Sequence, residues 1–215
     1  MKSWTAKYLD WIKANVKFKQ FALDATLEDY VAEVKHVSER IQKLERTIDE
    51  AAAQAHPEIR EVVAALQALR GVAKVSAVTI VSELGSLTRF ESPRPLMGHS
   101  GIVPREYSSG NRVHRGGITK TGNAHLRREV VESAWAYQHR PPVGSGLKKR
   151  QAGLSQDVID IAWKAQQRLW GRYKELTNAG KNKPQVVTAV GRELLGFIWA
   201  IAVNIERKQI SNRAA

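Results

Sequence analysis

The sequence predicts a mainly α protein: a coiled-coil helical segment followed by a compact helical domain that carries a basic glycine-rich loop. Three observations predict it. Apolar residues recur at about 3.5 to 3.6 residue spacing along most of the chain, no alternating run of strand length stands out, and glycine, proline and cations gather between positions 98 and 128. With 215 residues, 43% of them hydrophobic and 26% charged, the chain can build one globular domain and an accessory helical segment. We place these at residues 1–56 and 57–210.

Trp4, Tyr8, Trp11 and Ile12 recur at helical spacing and predict a short amphipathic helix whose aromatics anchor it to a core. From Leu27 a heptad sets in. Leu27, Val34, Ile41, Ile48 and Ala55 hold one position, and Tyr30, Val37, Leu44 and Ala51 the other, with Glu, Lys and Arg between them. Such a seam can meet a second protomer or fold back on its own chain. His56-Pro57 ends it, and Pro57 suits the first position of a new helix with Ile59, Val62, Val63, Leu66 and Leu69 inward.

Arg70-Gly71-Val72-Ala73-Lys74 interrupts that helix, and a second apolar run, Val75 to Leu84, ends at Gly85. A helix, glycine turn, helix unit can aim free N-terminal amides at a phosphate, or serve purely as a structural corner. After Phe90, ESPRPLMGHSGIVP predicts irregular chain with one short helix around Leu96 to His99. A small hairpin around Ser109-Gly110-Asn111 follows. Asn123 then caps a helix through Leu126, Val130, Val131, Ala134 and Trp135. Residues 140–153, rich in Pro, Gly and Lys, read as a mobile connection. Two core helices close the chain, one with Val158, Ile161, Ala162, Ala165, Leu169 and Trp170, the other with Val186, Val190, Leu194, Phe197, Ile198, Ile201 and Ile205.

The net charge of +13 favours a polyanionic partner, and nucleic acid first. The excess is local: residues 1–66 carry 10 Lys and Arg against 11 Asp and Glu, whereas residues 105–150 carry 10 against 3. The absence of cysteine excludes disulfides and thiolate metal sites. No apolar run approaches the roughly 18 to 20 residues of a membrane span, and the N-terminus lacks a signal-peptide core, so the expectation is a cytoplasmic protein without a membrane partner.

The stretch EYSSGNRVHRGGITKTGNAHLRR holds Ser108 and Ser109, flexible Gly110, Gly116 and Gly117, and the cations Arg105, Arg112, Arg115, Lys120, Arg127 and Arg128 in and beside it. A hydroxyl attacks a phosphodiester only if its proton is removed and the charge growing on phosphorus is stabilised, which such a loop can do, with His114 and His125 for proton traffic. The same composition also suits a loop that only grips a backbone. Glu129 with Glu132, and Asp157 with Asp160, are three apart on helices and read as surface charge, so no metal is assigned.

Three stretches carry a resemblance: LRGVAKVSAVTIVSELGSLTRFESP, GHSGIVPREYSSGNRVHRGGITKTGNAHLRREVVESAW and GRELLGFIWAIA. Within them G-I-V-P, then S-G, then I-T-K-x-G-N-x-x-L-R-R stand in a specific order and spacing. The chain thereby resembles the C-terminal half of transposases of the insertion sequence 110/116/902 family, bacterial DNA recombinases. The resemblance implies a coiled coil followed by a helical transposase domain. It also implies a nucleophilic serine before glycine, Ser109, with Ser108 as the neighbouring alternative.

DNA contacts by Arg105, Arg112, Arg115, Lys120, Asn123, Arg127 and Arg128 are expected, as are a homo-oligomer and a structured guide RNA. Members of the family begin with an RNase H-like nuclease domain, and Mg²⁺ is expected to belong to it; the chain is expected to lack that domain and to need no cofactor of its own. The turn usually written P-G-I-G is Arg70-Gly71-Val72-Ala73 here. The expected function is that of a transposase fragment that exchanges DNA strands once completed by the missing domain. A different class of function, a non-catalytic nucleic-acid-binding remnant that oligomerises with full-length transposase, fits the same charge pattern.

Overall fold

The computed structural model describes residues 4–109, 112 and 114–214. The fold is mainly α, and the chain divides into two compact units, Met1–Gln54 and Ala55–Ala215.

In the first unit α1 (Ala6–Asn15) begins at Thr5, whose hydroxyl accepts a 3.2 Å hydrogen bond from the Tyr8 amide. The heptad forms one continuous helix, α2 (Phe21–Gln54). Lys35 pairs with Asp10 at 2.7 Å, and Lys17 reaches Asp24 and Glu28 at 3.4 Å, which ties the two helices together. The aromatics are not the core anchors the sequence suggests. Trp4 is 73% and Trp11 47% exposed, while Leu9 is buried. The reason is angular: Trp4 precedes the helix, Tyr8 and Trp11 share one strip of α1, and Leu9 and Ile12 form the adjacent strip that meets α2. The exposed rings pack on one another instead, with Tyr8 and Trp11 stacked at 6.4 Å.

α1 lies against the first part of the heptad, where Leu27 and Val34 are partly covered and Val31 is buried. Tyr30 in that stretch is exposed, and beyond it the seam is open at Val37, Ile41 and Leu44.

The second unit is built around α9 (Lys183–Ala214), which packs against α3 (Pro57–Leu66), α5 (Pro93–His99), α6 (Ala124–Ala134) and α8 (Gln156–Asn178). α4 (Lys74–Leu84) fills the space beside α3 and α6, and the two-stranded sheet pairs β1 (Pro104–Glu106) with β2 (Arg115–Ile118) antiparallel. Val190, Leu194, Leu195, Ile198 and Ile201 of α9 are fully buried at the centre of the core. Contrary to the sequence reading, α9 is long and apolar enough to match a membrane span in length and composition. Its burial by four other helices accounts for that composition.

Two further expectations change. Residues 145–151, read as part of a mobile connection, form α7 (Ser145–Gln151). Leu147 is buried, Arg150 donates to the Val72 carbonyl at 2.8 Å, and Gln151 donates to the Ala68 carbonyl at 3.1 Å, so the segment is held against the 67–73 turn. Local composition concealed this because its anchors are long-range hydrogen bonds. On α3, Ile59 is 46% exposed, and Leu69 is buried from the turn that follows the helix.

Gly71 makes that turn possible. Its φ is +84°, and a Cβ there would overlap the Ser133 carbonyl oxygen, so the turn sits directly on the end of α6. Glu206 of α9 accepts from Ser86 Oγ at 2.8 Å, Leu87 N at 2.9 Å and Thr88 N at 2.8 Å, capping the 3-10 turn at Leu87–Arg89.

Candidate nucleic-acid interface

The basic loop is a hairpin with a rigid foot. Gly101, at φ +65°, and Gly122, at φ +86°, face two crossing chain segments: a Cβ on Gly101 would overlap the Thr121 carbonyl, and one on Gly122 the His99 carbonyl. Backbone bonds close this crossing, from Asn123 N to His99 O at 2.8 Å, Lys120 N to Gly101 O at 3.0 Å and Thr119 N to Val103 O at 2.9 Å. The glycines of G-H-S-G and K-T-G-N therefore let two backbones touch.

Asn123 and Arg127 belong to this foot. The Asn123 Oδ1 accepts from Leu126 N at 2.9 Å and caps α6, and its Nδ2 donates to Glu83 at 2.7 Å. Arg127 donates to the Ser100 carbonyl at 2.9 Å and is partly buried. Both side chains thus bond within the fold.

Above the foot the strands run outward. Pro104 pairs with Ile118 and Glu106 with Arg115, with a register irregularity between them. Tyr107 N donates to His114 O at 2.9 Å, and Ser109 and Arg112 exchange backbone bonds of 3.2 Å on either side of positions 110 and 111. Gly110, Asn111 and the Arg115 side chain, named in the sequence reading, lie outside the described residues.

The two serines differ in their bonding. Ser108 Oγ donates to Glu106 Oε1 at 2.8 Å, whereas Ser109 Oγ makes no hydrogen bond among the described residues; both residues are exposed. Arg105, Arg112, Lys120 and Arg128 are exposed as well, and none is in an ion pair among the described residues. The structure brings Ser108, Ser109, Arg105 and Arg112 onto one hairpin. It sets Asn123 and Arg127 in the foot, and Arg128 on α6 beyond it. An exposed hydroxyl among unpaired cations can meet a phosphate without first breaking an internal contact.

Among the described residues no three His, Asp or Glu side chains are gathered to hold a metal ion. Of the acids weighed in the sequence, Asp157 accepts from Lys208 at 2.8 Å and Asp160 from Gln156 at 2.8 Å.

The 67–73 turn, which the sequence offers as a phosphate contact or a structural corner, is braced by side chains from outside it and from within it. Arg70 donates to the carbonyls of His139 at 3.2 Å and Arg140 at 2.7 Å, so the turn is held both by that arginine and by Arg150. A conspicuous Arg-Gly pair was the available signal.

Residues 63–148 match the model of the transposase IS116/IS110/IS902 family, a span that contains both the glycine turn and the hairpin. The protein y4qE of Sinorhizobium fredii, named as a transposase, is 43% identical over 94% of this chain and 47% of its own length. The transposase for insertion sequence element IS1533 of Leptospira borgpetersenii is 30% identical over 81% of this chain and 50% of its own. A pilin gene-inverting protein of Moraxella bovis is 22% identical over 85% of this chain and 50% of its own. The chain thus spans about half the length of these relatives. Residues 63–148 thus carry a transposase domain of the IS116/IS110/IS902 type, and the sequence on both sides of them is shared with the transposase-named relative of Sinorhizobium fredii.

Proposed function

We propose that this chain supplies the strand-joining part of a DNA transposase, with Ser109 as the nucleophile. The observation that carries the reading is the exposed Ser109 hydroxyl, without a hydrogen bond among the described residues, on a hairpin whose Arg105 and Arg112 have no ion-pair partner among them either. In the reaction, Ser109 Oγ attacks a backbone phosphorus. A serine–phosphate bond forms as the bond from phosphorus to one deoxyribose oxygen breaks, the serine proton passes to a base, and the departing oxygen takes up a proton. Attack by the sugar hydroxyl of a second strand reverses these changes and frees the serine.

Arg105 and Arg112 stabilise the charge on phosphorus, and the exposed His114 and His125 are the nearby groups suited to proton traffic. Lys120 and Arg128 extend the phosphate-binding surface, while Asn123 and Arg127 hold it in place. Ser108 is the alternative nucleophile, favoured by its 2.8 Å contact with Glu106, a carboxylate able to accept its proton. Covalent trapping of labelled DNA by the assembled complex, followed by mapping of the modified serine, tests both.

The assembled complex is an oligomer joined through the open α2 seam and includes a structured guide RNA; Mg²⁺ is assigned to the nuclease part of the family's proteins, not to residues of this chain. A second reading, a non-catalytic nucleic-acid-binding partner that joins mixed oligomers, is favoured by the same exposed seam.

A further inference from the structure

On the face of the second unit formed by the 3-10 turn Trp135–Gln138 and the C-terminal half of α8 lies an open groove of about 490 Å³. One wall carries Gln138 and Arg140. The other carries Trp170, Lys174 and Asn178, each four residues apart and therefore in one row along the helix. Its floor is Tyr173, which is buried.

The chemistry of the lining is selective. No carboxylate lines the groove, and the acids beside it are engaged: Glu175 with Arg172 at 2.8 Å, and Glu193 with Arg168 at 2.9 Å and Arg172 at 3.3 Å. Arg140 and Lys174 are exposed and in no ion pair among the described residues. Trp170, on a helix whose other apolar residues at 158, 162, 165 and 169 are fully buried, stays partly open, and Lys174 Nζ stands 5.1 Å from its ring centroid. The segment that presents Arg140 is fixed from behind, because Arg70 binds the His139 and Arg140 carbonyls. A positioned indole, two cations without an ion-pair partner among the described residues and two side-chain amides suit a flat heterocycle joined to a phosphate. A duplex has no base face free to stack.

We propose that this groove holds one unpaired nucleotide of a single-stranded nucleic acid. The base stacks on Trp170, the phosphate lies against Lys174 and Arg140, and the amides of Gln138 and Asn178 serve the base edge. The proposal rests on the reading of this chain as a nucleic-acid-binding protein but uses a surface separate from the hairpin. Its volume is in the range of small-ligand sites.

Fluorescence anisotropy on the full chain tests it, with labelled oligothymidylate, oligouridylate and a duplex as probes. Trp170→Ala is expected to weaken single-strand binding about tenfold and leave duplex binding unchanged, whereas Trp170→Phe, which keeps an aromatic face, retains most of it. Arg105→Gln/Arg112→Gln is expected to do the reverse. If circular dichroism shows Trp170→Ala to be unfolded, Arg140→Gln/Lys174→Gln decides, by an expected fall of about 1.4 in the slope of log affinity against log salt on single strands. The tighter of the two single strands identifies the source as DNA or RNA. Unchanged single-strand binding in the folded Trp170 variant, an unchanged slope in the double variant, or an equal loss on duplex overturns the groove. A wild-type chain that binds duplex but neither single strand also overturns it and leaves the hairpin reading standing; one that binds no nucleic acid overturns both.

Discussion

The Asn123 side-chain amide donates to the Glu83 carboxylate at 2.7 Å, while its oxygen accepts from the Leu126 amide at 2.9 Å. One residue thus starts α6, ties it to α4 and fixes the foot of the basic hairpin. Asn123→Ala removes both bonds and is expected to cost about 1 to 2 kcal/mol in urea unfolding. Asn123→Asp keeps the cap but sets a second carboxylate against Glu83, so it is expected to recover only part of that loss at pH 7 and more of it in acid. Equal stability of all three chains would remove Asn123 from the foot.

The crossing at Gly101 and Gly122 allows a sharper comparison. Both have positive φ and face a carbonyl oxygen where a Cβ would go, whereas nothing lies within 4 Å of a Cβ built on Gly117. Gly101→Ala and Gly122→Ala are each expected to destabilise by at least about 2 kcal/mol, and Gly117→Ala by no more than about 0.5 kcal/mol. Thermal melting of the three variants checks the order.

Tyr137 gives the second unit a pH dependence. Its phenol is buried and its hydroxyl has no hydrogen-bond partner among the described residues. Burial pushes its pKa well above the usual value of 10.0, against the opposing pull of the Arg70 and Arg150 charges. Because the folded pKa is raised, the neutral phenol's share of stability is complete below about pH 10 and is lost as pH rises beyond it, where the unfolded chain gives up its proton first. Tyr137→Phe is expected to match wild type within about 1 kcal/mol at pH 7, since it removes an unsatisfied hydroxyl, and to lose less stability by about pH 11. Parallel losses in urea titrations of the two chains would show that Tyr137 does not contribute.

The open half of the α2 seam predicts association. Ile41 and Leu44 are 50% and 54% exposed in a helix with regular heptad spacing. Sedimentation of the full chain is expected to show an oligomer that Ile41→Glu/Leu44→Glu converts to monomer without loss of helicity, since neither side chain is buried within its own unit. A monomeric wild-type chain would leave the seam without this role.

Sequence periodicity revealed most of the helices because burial at one face repeats every turn: Val62, Leu66, Val130, Leu169 and Leu194 all lie where the pattern sets them. Periodicity could not choose between adjacent strips of a ten-residue helix, which is why Leu9 rather than Trp11 is buried. It was also blind to α7, which is secured by Arg150 and Gln151 bonds to residues 78 and 83 positions earlier. For the candidate site, the residue types and the hairpin were legible. The internal bonding was not: Asn123 and Arg127 read as phosphate ligands in sequence, and their bonds to Glu83 and the Ser100 carbonyl are visible only in the fold. The groove at Trp170 was hidden for the same reason, since Arg140 and Lys174 come together only through packing of the 3-10 turn on α8.

The central claim is that Ser109 bonds to phosphorus. The most direct measurement traps the assembled complex on a nicked, labelled DNA and maps the modified peptide by mass spectrometry. The phosphodiester is expected on Ser109, and Ser109→Ala is expected to bind DNA with the same salt dependence while capturing none of it. A modification mapped to Ser108, or undiminished capture by Ser109→Ala, would contradict the claim.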